Sequence, residues 1–211
     1  DKIGGKISPQ RDLTKISIDG AGIMGRPGIA SSLFQILSDS GINIRLIATS
    51  EVKVSCVINS SSGEKALRNI GDFFKLNDKQ ISINPINQNN NEPEVRGVAL
   101  DRDQIQFSVK NVPDKPGTAS SICSTLAEKN ISLDTIVQSE RKHQDKTKDI
   151  SFTLKKNDRS EAKYALEELI SNWKGAKLEE GNSIVRISAV GSGMPYTKGT
   201  AGKIFRALAN Q

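Results

Sequence analysis

A chain of 211 residues with 30 basic and 24 acidic side chains has room for one to three small domains and carries a net charge of +6. Its basic residues are scattered and aromatics make up only 4%, so no strand offers the exposed aromatic and basic set of a base-stacking platform, and nucleic acid is not an expected partner. No apolar run reaches the length of a membrane span, no signal peptide is visible, and Cys56 and Cys123 supply neither a disulfide framework nor a metal spacing, which fits a reducing, cytoplasmic setting.

Residues 1–11 form a Gly- and Lys-containing segment expected to be poorly ordered. Residues 13–19 read as a strand, with Leu13, Ile16 and Ile18 as its apolar positions. After the loop Gly20 to Arg26, a helix is expected from Pro27 to about Ser38, burying Ile29, Leu33, Ile36 and Leu37, with Gly41 as its C-terminal glycine. Ile42, Ile44 and Leu46 then alternate with Asn43 and Arg45, and Val52, Val54, Cys56 and Ile58 alternate with Lys53 and Ser55. A second helix, from about Gly63 to Phe74, presents Ala66, Leu67, Ile70, Phe73 and Phe74, and Gln80 to Ile83 is expected to supply a last strand. The order over residues 12–84 is that of an α+β, ferredoxin-like βαββαβ unit, an antiparallel sheet with two helices on one face.

Residues 85–93 read as a polar linker, and a second unit follows over 94–178. Ile105 to Val109 alternate like a strand, and Ala119, Ile122, Cys123 and Leu126 have helical spacing with Pro116 expected at the first helical position. The hairpin Arg141 to Lys148 is charged, reads as solvated and holds the sole histidine, His143. Ile150, Phe152 and Leu154 form the next strand, and a helix from Arg159 to Asn172 buries Ala162, Ala165, Leu166 and Leu169. Residues 179–211 open a further unit and stop at the end of its first helix, so that unit is expected to be incomplete.

These units are copies of one another. Eighty-nine residues separate Gly28 from Gly117, and the same step carries Pro27 to Pro116, Ala30 to Ala119 and Ser31-Ser32 to Ser120-Ser121. In the third copy Arg186-Ile187-Ser188 lies over Lys15-Ile16-Ser17, Gly199 over Gly28 and Ile204-Phe205 over Leu33-Phe34.

Catalytic signatures are weak: there is no GxxxxGK[ST] loop, no HExxH, and one histidine cannot build a Ser-His-Asp set. Gly20-Ala21-Gly22-Ile23-Met24-Gly25 matches GxGxxG by letters, but a hairpin follows the next strand where a dinucleotide fold needs a parallel crossover. The repeated turn is the better candidate. First-turn amides after Pro116 lack intrahelical partners and lie at the positive end of the helix dipole, Gly117 lets a ligand approach the backbone, and such a site suits a carboxylate or phosphate. The alternative is a plain strand-to-helix turn. On the following strand Ser132, Asp134, Ile136 and Gln138 share one face, matched in the first unit by Asn43, Arg45, Ile47 and Thr49. Such a face is either solvent-facing or meets the glycine turn of a sister unit around a small polar ligand.

Val112-Pro113-Asp114-Lys115-Pro116-Gly117, followed by Asn130 to Gln138, resembles the first-type ACT domain of aspartate kinases, and Gly41 to Cys56 resembles the second type. Val98 to Asp101 and Ile150 to Thr153 match as well, while Lys198 departs from the pattern where a proline is usual. The order of units resembles the tail of four-ACT aspartate kinases, found in cyanobacteria among others. The resemblance implies an upstream kinase domain that phosphorylates aspartate with ATP, absent from these residues, and feedback inhibition by lysine, threonine or both at ACT–ACT interfaces. It implies an effector held by Asp114, Lys115, Pro116, Gly117, Thr118 and Ala119 together with Ser132, Leu133 and Asp134, with Gln138 on its side chain. Asn43, Ile44, Arg45, Thr49, Ser50 and Glu51 would line paired interfaces. No catalytic residue, metal or cofactor beyond the effector amino acid is expected. The expected partners are that amino acid, the kinase domain and a second copy of the chain. The alternative is a stand-alone ACT-like sensor or transcription-regulating protein.

Overall fold

The computed structural model describes residues 9–20, 23, 26–50, 52–83, 93–138, 147–191, 193–194 and 197–210. Period-two alternation builds the first strand, β1 (Leu13–Asp19), and a left-handed Gly28 then opens α1 (Ile29–Asp39). Helix α1 ends as expected for a C-terminal glycine: Gly41 has φ +70°, and the Ile42 amide donates back to the Leu37 carbonyl. Strands β2 (Leu46–Ser50) and β3 (Lys53–Asn59) form a hairpin, and α2 (Gly63–Phe74) follows. The second unit repeats the order with β4 (Gly97–Pro113), α3 (Thr118–Glu128), β5 (Thr135–Gln138), β6 (Thr147–Lys155) and α4 (Arg159–Ile170). Strand β7 (Lys177–Val190) and α5 (Thr200–Ala209) complete the described elements.

All seven strands join one antiparallel sheet in the order β1-β3-β2-β5-β6-β4-β7. Val54, Cys56 and Ile58 of β3, and Ile150, Phe152 and Leu154 of β6, turn to one face, where they share a single core with Leu33, Phe34, Ile122 and Leu126 of the helices. On the opposite face Ser17 pairs with Ser55 and Ser108 with Ser151, each 2.8 Å between hydroxyls.

The first two units meet at β2 and β5, where Ile47 lies opposite Gln138 and Ala48 opposite Val137. Ala48 and Val137 are themselves one repeat apart, so a local two-fold relation passes between them. It sets α1 beside α3, with the Ser120 hydroxyl donating to Gln35 Oε1 at 2.8 Å.

Several expectations need correction. Gln80 to Ile83 form no strand: the Gln80 amide closes a turn on the Asn77 carbonyl, and Ile81 packs so closely on α2 that a Cβ at Gly71 would lie 2.9 Å from its Cδ1. Phe73 is exposed, whereas Phe34, not counted among the core positions, is buried. The boundary expected after residue 178 falls inside β7, whose first half pairs with Gln104–Lys110 and whose second half pairs with Gly97–Asp101. His143 and most of the 85–93 linker lie outside the described residues.

In the third copy the positions matching the core residues Leu33 and Phe34 are Ile204 and Phe205, and Phe205 is 69% exposed. The contrast gives a test of the packing. Phe152→Ala, which removes a buried ring stacked on Phe107, should cost about 3–5 kcal/mol. Phe205→Ala should change stability by less than about 0.5 kcal/mol. Urea denaturation of the two variants checks both.

Candidate functional site

Strand β4 delivers Asp114 to the joint, and the chain then reverses. The Lys115 amide and the Thr118 hydroxyl both donate to the Pro113 carbonyl, at 3.0 and 2.8 Å. Gly117, at φ +95°, is the residue before the helix, and Gly28 and Gly199 hold the same left-handed conformation, at +99° and +87°, before theirs. That conformation favours glycine. Pro116 therefore sits in the turn, one residue before the cap, rather than at the first helical position. The bare side of Gly117 faces the sister unit, since a Cβ there would lie 3.0 Å from Ser38 Oγ. The missing side chain thus serves helix–helix approach.

Facing this turn is the segment that enters β2. Asn43 Nδ2 donates to Asp114 Oδ1 at 2.8 Å. Lys148 lies on the same carboxylate oxygen at 2.9 Å and donates to the Ile44 carbonyl at 3.0 Å, with its side chain only 2% exposed. Gln138 Nε2 donates to the Ile44 carbonyl at 3.0 Å and to that of Arg45 at 3.4 Å. Phe34, Val112 and Ile150 also line the hollow, which has free room of about 20 Å³, roughly one water molecule. Burial pushes the Asp114 carboxyl up. Hydrogen bonds from Asn43 and Lys148, and the charges of Lys148 and Arg45, outweigh it and hold the group below its usual range.

Of the sequence-predicted residues, Asp114, Lys115, Pro116, Gly117, Thr118, Ala119, Asn43, Ile44 and Gln138 come together around this hollow. Ile136 and Gln138 share a face as expected, and that face is buried rather than solvated. Ser132, Leu133 and Asp134 do not reach the Asp114 turn, because β5 begins only at Thr135 and Ile131 is drawn into the core. Leu133 instead lines the sister hollow with Arg26, Pro27, Gly28 and Ser31. Asp134 accepts a hydrogen bond from Gln104, approaches Arg186 at 3.9 Å, and lines a separate cleft with Thr49 and Ser50. Thr49 also belongs to the joint, its hydroxyl accepting from the Ile136 amide at 2.9 Å. The Arg45 side chain turns away to Asn59 Oδ1, and Glu51 lies outside the described residues.

Lys148 is the residue the sequence reading missed. Its place at the end of the charged Arg141 to Lys148 hairpin predicts a solvated side chain, yet it belongs to β6 and is buried. Its signal was the alternation Lys148, Ile150, Phe152, Leu154, which puts it on the buried face. The cysteines offer no chemistry here: burial holds both as thiols, Cys123 pushed up to about 12.

At the third turn the incoming group is a carboxylate from within the chain. Glu94 accepts from the Thr200 hydroxyl and from Lys203, each at 2.7 Å, and these two bonds hold its carboxyl below the usual range.

Comparison with known proteins bears on the fold and the family. The ACT domain family matches residues 16–74 and again residues 107–172. Aspartokinase of Pseudomonas aeruginosa is 26% identical over 182 residues, which are 86% of this chain and 44% of that protein. The crystal structure of aspartate kinase from Synechocystis superposes with a TM-score of 0.86 at 42% identity, over 94% of this chain and 34% of that one. The regulatory subunit of aspartate kinase from Thermus flavus gives a TM-score of 0.50 at 35% identity, over 55% of this chain and 75% of that one. The chain spans less than half the length of the Pseudomonas protein. It belongs to the ACT-domain family, with two ACT domains in tandem, and corresponds to the regulatory region of aspartate kinases.

Proposed function

We propose that this chain senses a free amino acid, lysine or threonine, and passes the signal to the kinase domain of a cytoplasmic aspartate kinase. The observation that carries the reading is the joint itself. A glycine turn of one unit meets the strand entry of the other, so that Asp114, the first-turn amides of α3 and Gln138 converge. A free amino acid needs donors for its carboxylate and an acceptor for its ammonium within a few ångströms, and this set offers both. At the third turn a carboxylate of the chain itself, Glu94, lies against the first turn of α5, held by the Thr200 and Lys203 side chains, which supports the reading. The names of the relatives point the same way.

In this reading the carboxylate takes the amides of Ala119 and Ser120, the ammonium takes Asp114, and Gln138 reads the side chain. Because the ligand would lie between α1, α3 and the β2–β5 pairing, its differential affinity for two arrangements of the joint would set the kinase's conformational balance. Association of two copies through these units belongs to the same proposal. Exposed Val98, Leu100 and Ile187 supply an apolar surface for it.

Calorimetric titration with lysine and threonine tests the site. Asp114→Ala should weaken binding about ten- to a hundred-fold, the worth of a charge-assisted contact, while Asp134→Ala should leave it nearly unchanged. Unchanged affinity in a folded Asp114→Ala variant would place the ligand elsewhere. A second expectation concerns pH. Since the folded Asp114 carboxyl is depressed, its contribution to stability is complete above the unfolded value near ~4 and is lost as pH falls through the lower folded value. The stability difference between wild type and Asp114→Asn should stay constant from neutral pH to about pH 5 and shrink below about pH 4, as read from urea midpoints.

A further inference from the structure

The two hollows at the joint are related by the repeat but are not alike. Ile47 pairs with Cys56, and its repeat mate Ile136 pairs with Phe152, so Lys148 of β6 matches Val52, which precedes β3. Asp114 matches Gly25 in the same way. Among the described residues, only the hollow at the Asp114 turn contains an acid and a lysine, and Val52 is exposed where Lys148 is buried. The lysine is not merely near the acid. Its Nζ lies 2.9 Å from Asp114 Oδ1 and 3.0 Å from the Ile44 carbonyl oxygen, while Asn43 already donates to the same Oδ1. Asp114 Oδ1 and the Ile44 carbonyl are thus already engaged, and the remaining room of about 20 Å³ is that of about one water, not of an amino acid.

We infer that Lys148 is a built-in occupant of an ammonium subsite formed by Asp114 and the Ile44 carbonyl, and that a primary ammonium ligand binds there by displacing it. The chain's own side chain thus identifies the ligand class: an ammonium on an alkyl carbon, seated against a buried carboxylate and a main-chain carbonyl. A ligand must supply enough contacts elsewhere, at the α3 amides, to exceed what Lys148 already makes. Lys148 then sets the affinity of the site as a competitor rather than as a contact. The amino-acid part of this inference rests on the function proposed above; the ammonium part does not.

The test uses the whole chain and Lys148→Ala, which leaves a vacated channel beside Asp114. Propylammonium chloride, a probe that makes no assumption about the amino acid, should raise the melting temperature of Lys148→Ala in a saturable way. It should leave wild type within the shift given by sodium chloride at equal ionic strength. Lysine or threonine should bind Lys148→Ala at least ten-fold more tightly than wild type in calorimetry. Should Lys148→Ala fold poorly, Lys148→Ala/Asp114→Asn removes the orphaned charge; it should fold and should not respond to propylammonium. Weaker or equal amino-acid binding in folded Lys148→Ala, together with no propylammonium response, overturns the inference. A propylammonium response without any amino-acid binding, in wild type or variant, upholds the ammonium subsite and overturns the amino-acid reading instead.

Discussion

The antiparallel contact between β2 and β5 is the constraint on which the other features depend. It is short among the described residues, with Ile47–Gln138 and Ala48–Val137 in register. Side chains extend it at both ends: the Thr49 hydroxyl accepts from the Ile136 amide, and Gln138 reaches the carbonyls of Ile44 and Arg45. A slip of one residue would turn Ile136 and Gln138 to the opposite face. Asn43 and Ile44 would then lose their places opposite the Asp114 turn, and α1 would lose its seat beside α3. The register of two residue pairs thus fixes both the core continuity of the tandem and the geometry of the hollow.

Within that joint the Lys148–Asp114 pair is an expensive choice by the usual account of buried charges. Desolvating two ions is offset only when geometry is good and the remaining hydrogen-bonding capacity is used. Here Asn43 and the Ile44 carbonyl supply that use. Removing one member of such a pair typically costs about 3–5 kcal/mol, whereas an apolar replacement of both can be neutral. The matching positions of the first unit carry Gly25 and Val52, so the fold does not require the charges. They make one hollow of the two chemically particular.

Much of this was readable from residue order. Amphipathic spacing placed α1 to α4 within a residue or two, and the repeat identified three equivalent turns that share a left-handed glycine. The core of β3 and β6 followed from simple alternation. The failures have specific causes. Lys148 was misread because a charge at the end of a charged hairpin looks solvated, and only its partner 34 residues earlier in the chain, Asp114, makes its burial tolerable. Asp134 falls with Gln138 only if strand alternation runs from Ile131, four residues ahead of β5, through a stretch that is not strand. Gln80 to Ile83 satisfied a pattern for a strand but had a stronger demand on it: Ile81 fills the gap that Gly71 leaves on α2.

Strand β4 has 17 residues and stays paired with β7 from Gly97 to Lys110, a ribbon whose longer strand spans roughly 55 Å at the usual rise. It passes from the second unit into the third with hydrogen bonds in place of a linker, so the third unit is clamped, not hinged. The register shifts between Asp101 and Gln104 and between Ile105 and Phe107 are the places where such a beam can bend or twist. They lie beside Gln104, which holds both Asp101 and Asp134. Torque applied at α5 or at the far end of the ribbon is therefore delivered to the residues that enter β5, one of the two strands of the joint, and the stiffness of the beam decides how much of it arrives.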